Sequence, residues 1–215
     1  MSFLFQGMYF LYVIIILVMI MKKKKLIKNI ISFILFISML IMFIYLGTKD
    51  YSVDIEDNLK FSNEYKDISK NNIYVYAKEY EVLEILNGKS GIILMGFSSN
   101  IWSHYYADYL NQVAIANGVD KIYYYDFKKD REMNNSTYLN IVKKLTNYLS
   151  VTDTGNSDLV APTILIIKDG NIIYYDAEIS TIKGNVPPEE YFNDYKKNLL
   201  MANIDNAIKE YLGGE

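Results

Sequence analysis

The chain contains no cysteine and only one histidine among its 215 residues. The absence of cysteine excludes a disulfide framework, thiol redox chemistry and thiolate metal ligands. A single histidine argues against a histidine-rich metal site, which needs several imidazoles. We therefore expect neither a cofactor nor a bound metal.

Acidic residues are missing from the N-terminal part of the chain and abundant in the rest. Residues 1–46 contain five lysines and neither an acidic residue nor an arginine. The remaining residues carry the other 17 basic side chains and all 25 acidic ones, a net charge of −8. This acidic body argues against nucleic acid as a partner, because nucleic-acid binding needs a basic face.

Residues 29–48 form an uncharged run of about the length that crosses a hydrocarbon core of ~30 Å. The lysine-rich segment 22–28 precedes this run and acidic residues follow it. Because positively charged flanks stay in the cytoplasm, we predict a transmembrane signal-anchor at 29–48 in the cell membrane. Everything after it then lies on the extracytoplasmic face. A cleavable signal peptide is the alternative, although no small-residue cleavage site follows closely.

Residues 1–21 form a second uncharged stretch of spanning length. They predict either an extra transmembrane helix or an over-extended gene start, and both leave the C-terminal domain on the same side. Residues 49–71 are polar and acidic, which we interpret as a stalk. The segment has few apolar anchors beyond Phe61, Tyr65 and Ile68. The folded domain is then expected at 72–215.

Strand and helix patterns alternate along the domain. Strands are expected where apolar or aromatic residues alternate or run together, and helices where they recur every three or four residues. The predicted strands are 72–77, 91–97, 121–127, 163–168 and 171–176. The predicted helices are 79–86, 100–117, 136–149 and 188–212, the last as one helix or two. The βαβαβαββα order predicts an α/β fold in which helices flank a central mixed sheet, with a hairpin at Asp169-Gly170.

Three local motifs resemble those of thioredoxin-like proteins. The segment GFSSNIWSHYY, at 96–106, occupies the position of the family's strand, active-site turn and first long helix. VAPT at 160–163 is similar to the loop that holds a cis-proline beside that turn, and KDGNII at 168–173 resembles the turn between the last two strands. Over residues 61–212 the chain is most similar to membrane-anchored bacterial proteins of the bacteriocin transport accessory type.

The resemblance implies the thioredoxin-like fold without the family's chemistry. Asn100 and Ser103 stand where the two cysteines would be, and thiol–disulfide exchange needs a thiolate that neither residue supplies. The resemblance also implies a candidate peptide-binding region beside the cis-proline. Its residues are Asn100, Ile101, Trp102, Ser103, Ala161 and Pro162. We assign no catalytic and no metal-binding residue.

Several functions remain open for such a domain. A non-catalytic binding module would pair an extended exported peptide or an envelope protein with the backbone beside the proline. The alternative is a structural subunit of a membrane transport or secretion assembly, in which the domain is a spacer. A non-redox enzyme is a third option, but Ser103 and His104 are helical neighbours that do not face each other.

Two sequence features have simpler explanations than binding. Asn100 is a favoured helix N-cap, so the turn can be purely structural. The 21 tyrosines suit a binding face because their rings offer large contact area, but they also fit a genome-wide bias in residue usage.

Overall fold

The computed structural model divides the chain into two compact units, Met1–Ser52 and Val53–Glu215. The residues that it describes are Phe33, 35–39, 55–149, 158–177 and 186–213. Phe33 and residues 35–39 are helical, with exposed side chains. The predicted segments 1–21 and 22–28 and the rest of the predicted span 29–48 lie outside the described residues. Among the residues described, no helix has the length and apolar character needed to cross a membrane.

A five-stranded mixed sheet forms the centre of the second unit. The strands are β1 (Tyr74–Tyr76), β2 (Gly91–Met95), β3 (Ile122–Tyr125), β4 (Thr163–Lys168) and β5 (Asn171–Asp176). Their order across the sheet is β1-β3-β2-β4-β5. Strands β1, β3 and β2 run parallel, and β4 is antiparallel to both its neighbours. The predicted α/β class with a mixed sheet is therefore confirmed.

Helices lie on both faces of this sheet. They are α1 (Ile55–Glu64), α2 (Glu79–Leu86), α3 (Ile101–Ala116), α4 (Lys128–Glu132), α5 (Ser136–Leu145), α6 (Pro188–Tyr191) and α7 (Asp194–Leu212). The C-terminal pattern is thus two helices, and α5 ends earlier than predicted. The short helix α4 was not predicted.

Strand β2 divides the core into two layers. Ile92 and Leu94 pack with side chains of α1, α3 and α7, whereas Ile93 and Met95 pack with α2 and α5 on the opposite face. Every residue of β2 is buried. A strand covered on both faces has no polar positions, which explains its continuous apolar sequence.

The segment interpreted as a stalk is part of the folded unit from residue 55 onward. Phe61 and Tyr65 are completely buried. The ring of Phe61 stacks on Tyr74 with centroids 3.9 Å apart, and the Tyr65 hydroxyl donates to the Tyr124 hydroxyl at 3.1 Å. The stalk interpretation is therefore wrong for this part of the chain. The sequence of α1 is mostly polar, so its narrow apolar face was not recognised from the sequence pattern.

Helix α1 also protects one edge of the sheet. The backbone N–H of Tyr76 on the edge strand β1 donates to the Asp57 carboxylate of α1 at 2.9 Å. Edge strands leave a row of unpaired backbone groups that can recruit other chains. Asp57 satisfies one of these groups within the molecule.

Asparagines cap three of the helices. The side chains of Asn100 and Asn193 accept hydrogen bonds from backbone N–H groups in the first turns of α3 and α7. Asn135 does the same for α5 and accepts from Thr137 and Tyr138. Ser136 follows this cap as the first residue of α5.

The hairpin between β4 and β5 turns at the predicted residues. Asp169 and Gly170 have φ angles of 51° and 75°. Positive φ at both central positions is what a tight two-residue hairpin requires. A Cβ on Gly170 would also lie 2.8 Å from the Cα of Gly88, so only glycine fits there.

Candidate functional site

The turn between β2 and α3 is held by the side-chain amide of Asn100. Its Oδ1 accepts from the backbone N–H of Trp102 at 2.9 Å, and its Nδ2 donates to the carbonyl oxygen of Ala161 at 2.9 Å. One amide therefore ties the start of α3 to the loop that precedes β4. The peptide bond between Ala161 and Pro162 is cis.

Ser103 lies beneath this turn, with no exposed surface. Its Oγ lies near the Tyr65 side chain but makes no hydrogen bond of ordinary geometry. A Cβ on Gly96 would come within 2.8 Å of this Oγ and 3.8 Å of the Cα of Pro162. Any larger residue at position 96 would therefore clash with the Ser103 hydroxyl. A hydroxyl in this position is unavailable to an external ligand.

The structure brings four of the six predicted site residues together. Asn100 bonds to Ala161, and Ser103 and Pro162 both adjoin Gly96. Ser103, Ala161 and Pro162 are buried, and the Ala161 carbonyl already accepts one hydrogen bond. Little of this group is therefore open to a peptide.

The other two predicted residues point elsewhere. The ring of Trp102 packs against the residues around the end of α6, with centroids 5.3 Å from Tyr191 and 5.7 Å from Phe192. Ile101 is 51% exposed at the start of α3. It is the most accessible residue of the predicted region, and its side chain also lines a neighbouring groove.

This groove has a volume of about 330 Å³ and runs along the outer face of α3. Ile101, His104, Tyr105 and Asp108 recur at helical spacing and form one wall. The remaining lining residues are Asp67, Tyr109, Glu189 and Lys197. We call this surface, made by these eight residues, the α3 groove.

Hydrogen bonds fix the polar groups at the rim of the α3 groove. The Nε2 of His104 lies 2.9 Å from the carbonyl oxygen of Ser98, and its Nδ1 lies 3.8 Å from Oδ2 of Asp67. The Tyr105 hydroxyl donates to Oε1 of Glu189 at 3.0 Å. Burial, followed by this bond to a carboxylate, raises the pKa of Tyr105, so its hydroxyl remains a donor.

Three carboxylates in the α3 groove face one ammonium. Asp67, Asp108 and Glu189 outnumber Lys197, a formal excess of two negative charges with His104 neutral. Within the described part of the chain, no group of three or more His, Asp or Glu side chains is placed to hold a metal ion. The groove's charge and its tyrosine walls suit the binding of a positively charged group.

Sequence reasoning identified only Ile101 among the residues of this groove. The stripe Ile101, His104, Tyr105 and Asp108 was a usable signal, because these positions share one face of a helix. Asp67 and Glu189 could not be added, since they come from segments far apart in sequence that only the tertiary fold brings together.

Many tyrosines pack in the core rather than on a binding face. Among the residues that the structure describes, seven are buried: Tyr65, Tyr74, Tyr106, Tyr109, Tyr124, Tyr125 and Tyr138. Tyr124 lies edge-on to Phe61 at 5.0 Å and to Tyr76 at 5.1 Å. The other described tyrosines are partly or largely exposed.

Comparison with known proteins finds no family model and no curated protein that matches this chain. The function has therefore to be inferred from the geometry of the turn and of the α3 groove.

Proposed function

We propose that this chain is a membrane-anchored, extracytoplasmic accessory module with a thioredoxin-like fold that binds a peptide or protein without catalysing a reaction. The strand order β1-β3-β2-β4-β5, with β4 antiparallel, supports the fold assignment. The contact between Asn100 and Ala161 supports it further, because it places the turn 96–106 beside the loop 160–163. The uncharged segment 29–48 after the lysines supports the anchor.

The observation that carries the binding function is the pair of hydrogen bonds made by Asn100. One caps α3 at Trp102 and the other holds the turn to the loop before β4, each at 2.9 Å. Asn100, at the position of the first cysteine in the resemblance, thereby makes the turn rigid instead of taking part in a reaction. A preformed surface loses less conformational entropy when it binds, which favours recognition.

The accessible part of this surface is Ile101 and the adjoining α3 groove. Ser103 and Pro162 are buried, so contact with a partner centres on the outer side of the turn. A concave site with apolar, aromatic and a few polar groups is the usual form of a ligand site.

Site-specific photocrosslinking tests this proposal in intact membranes. A photoreactive residue replaces Ile101 in the full chain, and the matched control replaces Leu139 on α5. The two side chains are similarly exposed, at 51% and 47%. We expect a discrete adduct from position 101 and none from position 139.

The same experiment addresses the structural-subunit alternative. That alternative is favoured by one observation, namely that the cap and the bond to Ala161 give Asn100 a purely structural role, while Ser103 is buried. A spacer would give no adduct, or equal adducts, at the two positions. Either result would overturn the binding proposal.

A further inference from the structure

We propose that the α3 groove recognises a positively charged side chain, a lysine or arginine in an extended segment of a partner polypeptide. The inference rests on the proposed binding function and specifies the chemical class of the ligand. A groove of about 330 Å³ suits one long side chain better than a folded surface.

The carboxylates of the groove are not neutralised by the protein itself. Among the residues that the structure describes, no lysine or arginine lies within 4.0 Å of Asp67, Asp108 or Glu189. Lys197 is directed to the ring of Tyr109, with Nζ 5.2 Å from the ring centroid. An incoming cation would therefore meet uncompensated negative charge.

His104 lies beside the carboxylate of Asp67. Its Nε2 lies at hydrogen-bond distance from a carbonyl oxygen, an acceptor, so that nitrogen carries the proton. Its Nδ1 is buried and has no hydrogen-bond partner, and the nearest carboxylate oxygen, on Asp67, lies 3.8 Å away. An ammonium or guanidinium group, which brings only donors, would therefore contact the exposed carboxylate of Asp67 rather than this nitrogen.

The walls of the groove suit the aliphatic part of such a side chain. Tyr105 is held rigidly, because its ring stacks on Phe192 with centroids 5.6 Å apart and its hydroxyl bonds to Glu189. The exposed side chain of Ile101 lies at the end of the groove nearest the turn. Lysine and arginine stems pack on apolar surface while their charged ends reach polar groups.

Isothermal titration calorimetry on the full chain in nanodiscs of neutral phosphatidylcholine tests the inference. The probes are short glycine-spaced peptides of equal length that contain lysine, arginine or glutamate, together with spermidine and Ca²⁺. We expect the lysine or arginine peptide to bind, and the glutamate peptide not to bind. Binding of spermidine as tight as that of the peptide would overturn the inference in favour of a free polyamine, and saturation by Ca²⁺ would overturn it in favour of a metal.

A matched pair of double variants separates the groove from bulk charge. Asp67→Asn with Glu189→Gln removes two groove carboxylates, whereas Asp120→Asn with Glu132→Gln removes two exposed carboxylates elsewhere. We expect the first pair to weaken peptide binding about tenfold or more, and the second about twofold or less. Equal losses in both would overturn the inference. If Ile101 still gives its crosslink while basic peptides fail to bind, only the ligand class is wrong, whereas loss of the crosslink removes the binding function itself.

Discussion

The side-chain amide of Asn100 makes an acceptor contact and a donor contact at once, which a hydroxyl or a carboxylate in its place would not reproduce. The acceptor contact caps the first turn of α3 through the N–H of Trp102, and the donor contact reaches Ala161. The two roles can be separated by substitution, because serine retains a capping oxygen but is too short to reach the loop.

Asn100→Ala removes both hydrogen bonds and is expected to lower the free energy of unfolding by about 1–3 kcal/mol. Asn100→Ser keeps the cap and should lose only part of that. Thermal unfolding followed by circular dichroism measures both changes. If Asn100→Ser is as stable as the parent, the bond to Ala161 contributes nothing to stability.

Restoring two thiols tests the relationship of the turn to a redox site. Positions 100 and 103 are one helical turn apart, a separation within reach of a disulfide. The start of α3 offers a partial positive charge, which should lower the pKa of a cysteine at position 100 below that of a free thiol. We expect Asn100→Cys with Ser103→Cys to gain disulfide-reductase activity on insulin, and the parent to have none. Thiols that titrate like free cysteine and never form a bridge would remove the support for a thioredoxin-like turn.

Helix α1 is the element whose role changed most between sequence and structure. Phe61 is completely buried on it, whereas Leu59 on the same helix is 43% exposed. Phe61→Ala should cost about 3–5 kcal/mol of stability, because it leaves a cavity among stacked rings. Leu59→Ala should cost less than about 1 kcal/mol. Chemical denaturation of the full chain measures both, and equal small effects would restore the stalk interpretation.

The strands and most helices could be predicted from local pattern, whereas α1 and the groove could not. The boundaries of α2, β4 and β5 match the prediction because apolar runs and turn residues such as Asp169 mark them clearly. The sequence of α1 contains few apolar residues and several polar and acidic ones, so the local pattern does not show which face is buried. That face is defined by its contact with β1, which only the tertiary fold provides. The cap at Asn100 is a local feature, but its bond to Ala161 spans 61 residues and depends on the tertiary fold.

The buried tyrosines make the whole molecule sensitive to alkaline pH. Burial raises the pKa values of Tyr65, Tyr74 and Tyr124 above the usual tyrosine value of about 10. The folded chain then holds protons that the unfolded chain releases, so stability is complete below that value and falls as pH rises above it. We expect unfolding in this range, with a cooperative rise in tyrosinate absorbance.

The measurement is a pH titration that records tyrosinate absorbance and far-ultraviolet circular dichroism on the same sample. Exposed tyrosines such as Tyr195, at 72% exposure, should ionise first without loss of secondary structure. The buried set should ionise only together with that loss. A single smooth titration that ends with secondary structure intact would show that these rings are not sealed from water.

Trp102 is the chain's only tryptophan, and it lies next to Ile101 with its ring 5.3 Å from Tyr191. The chain therefore carries one indole, and it lies where α3 begins at the turn. Nearby tyrosines such as Tyr191 absorb at shorter wavelength and can pass their excitation to it while the domain is folded. Its emission colour and intensity would thus report, without any attached dye, both the arrival of a partner at the turn and the separation of α3 from α6.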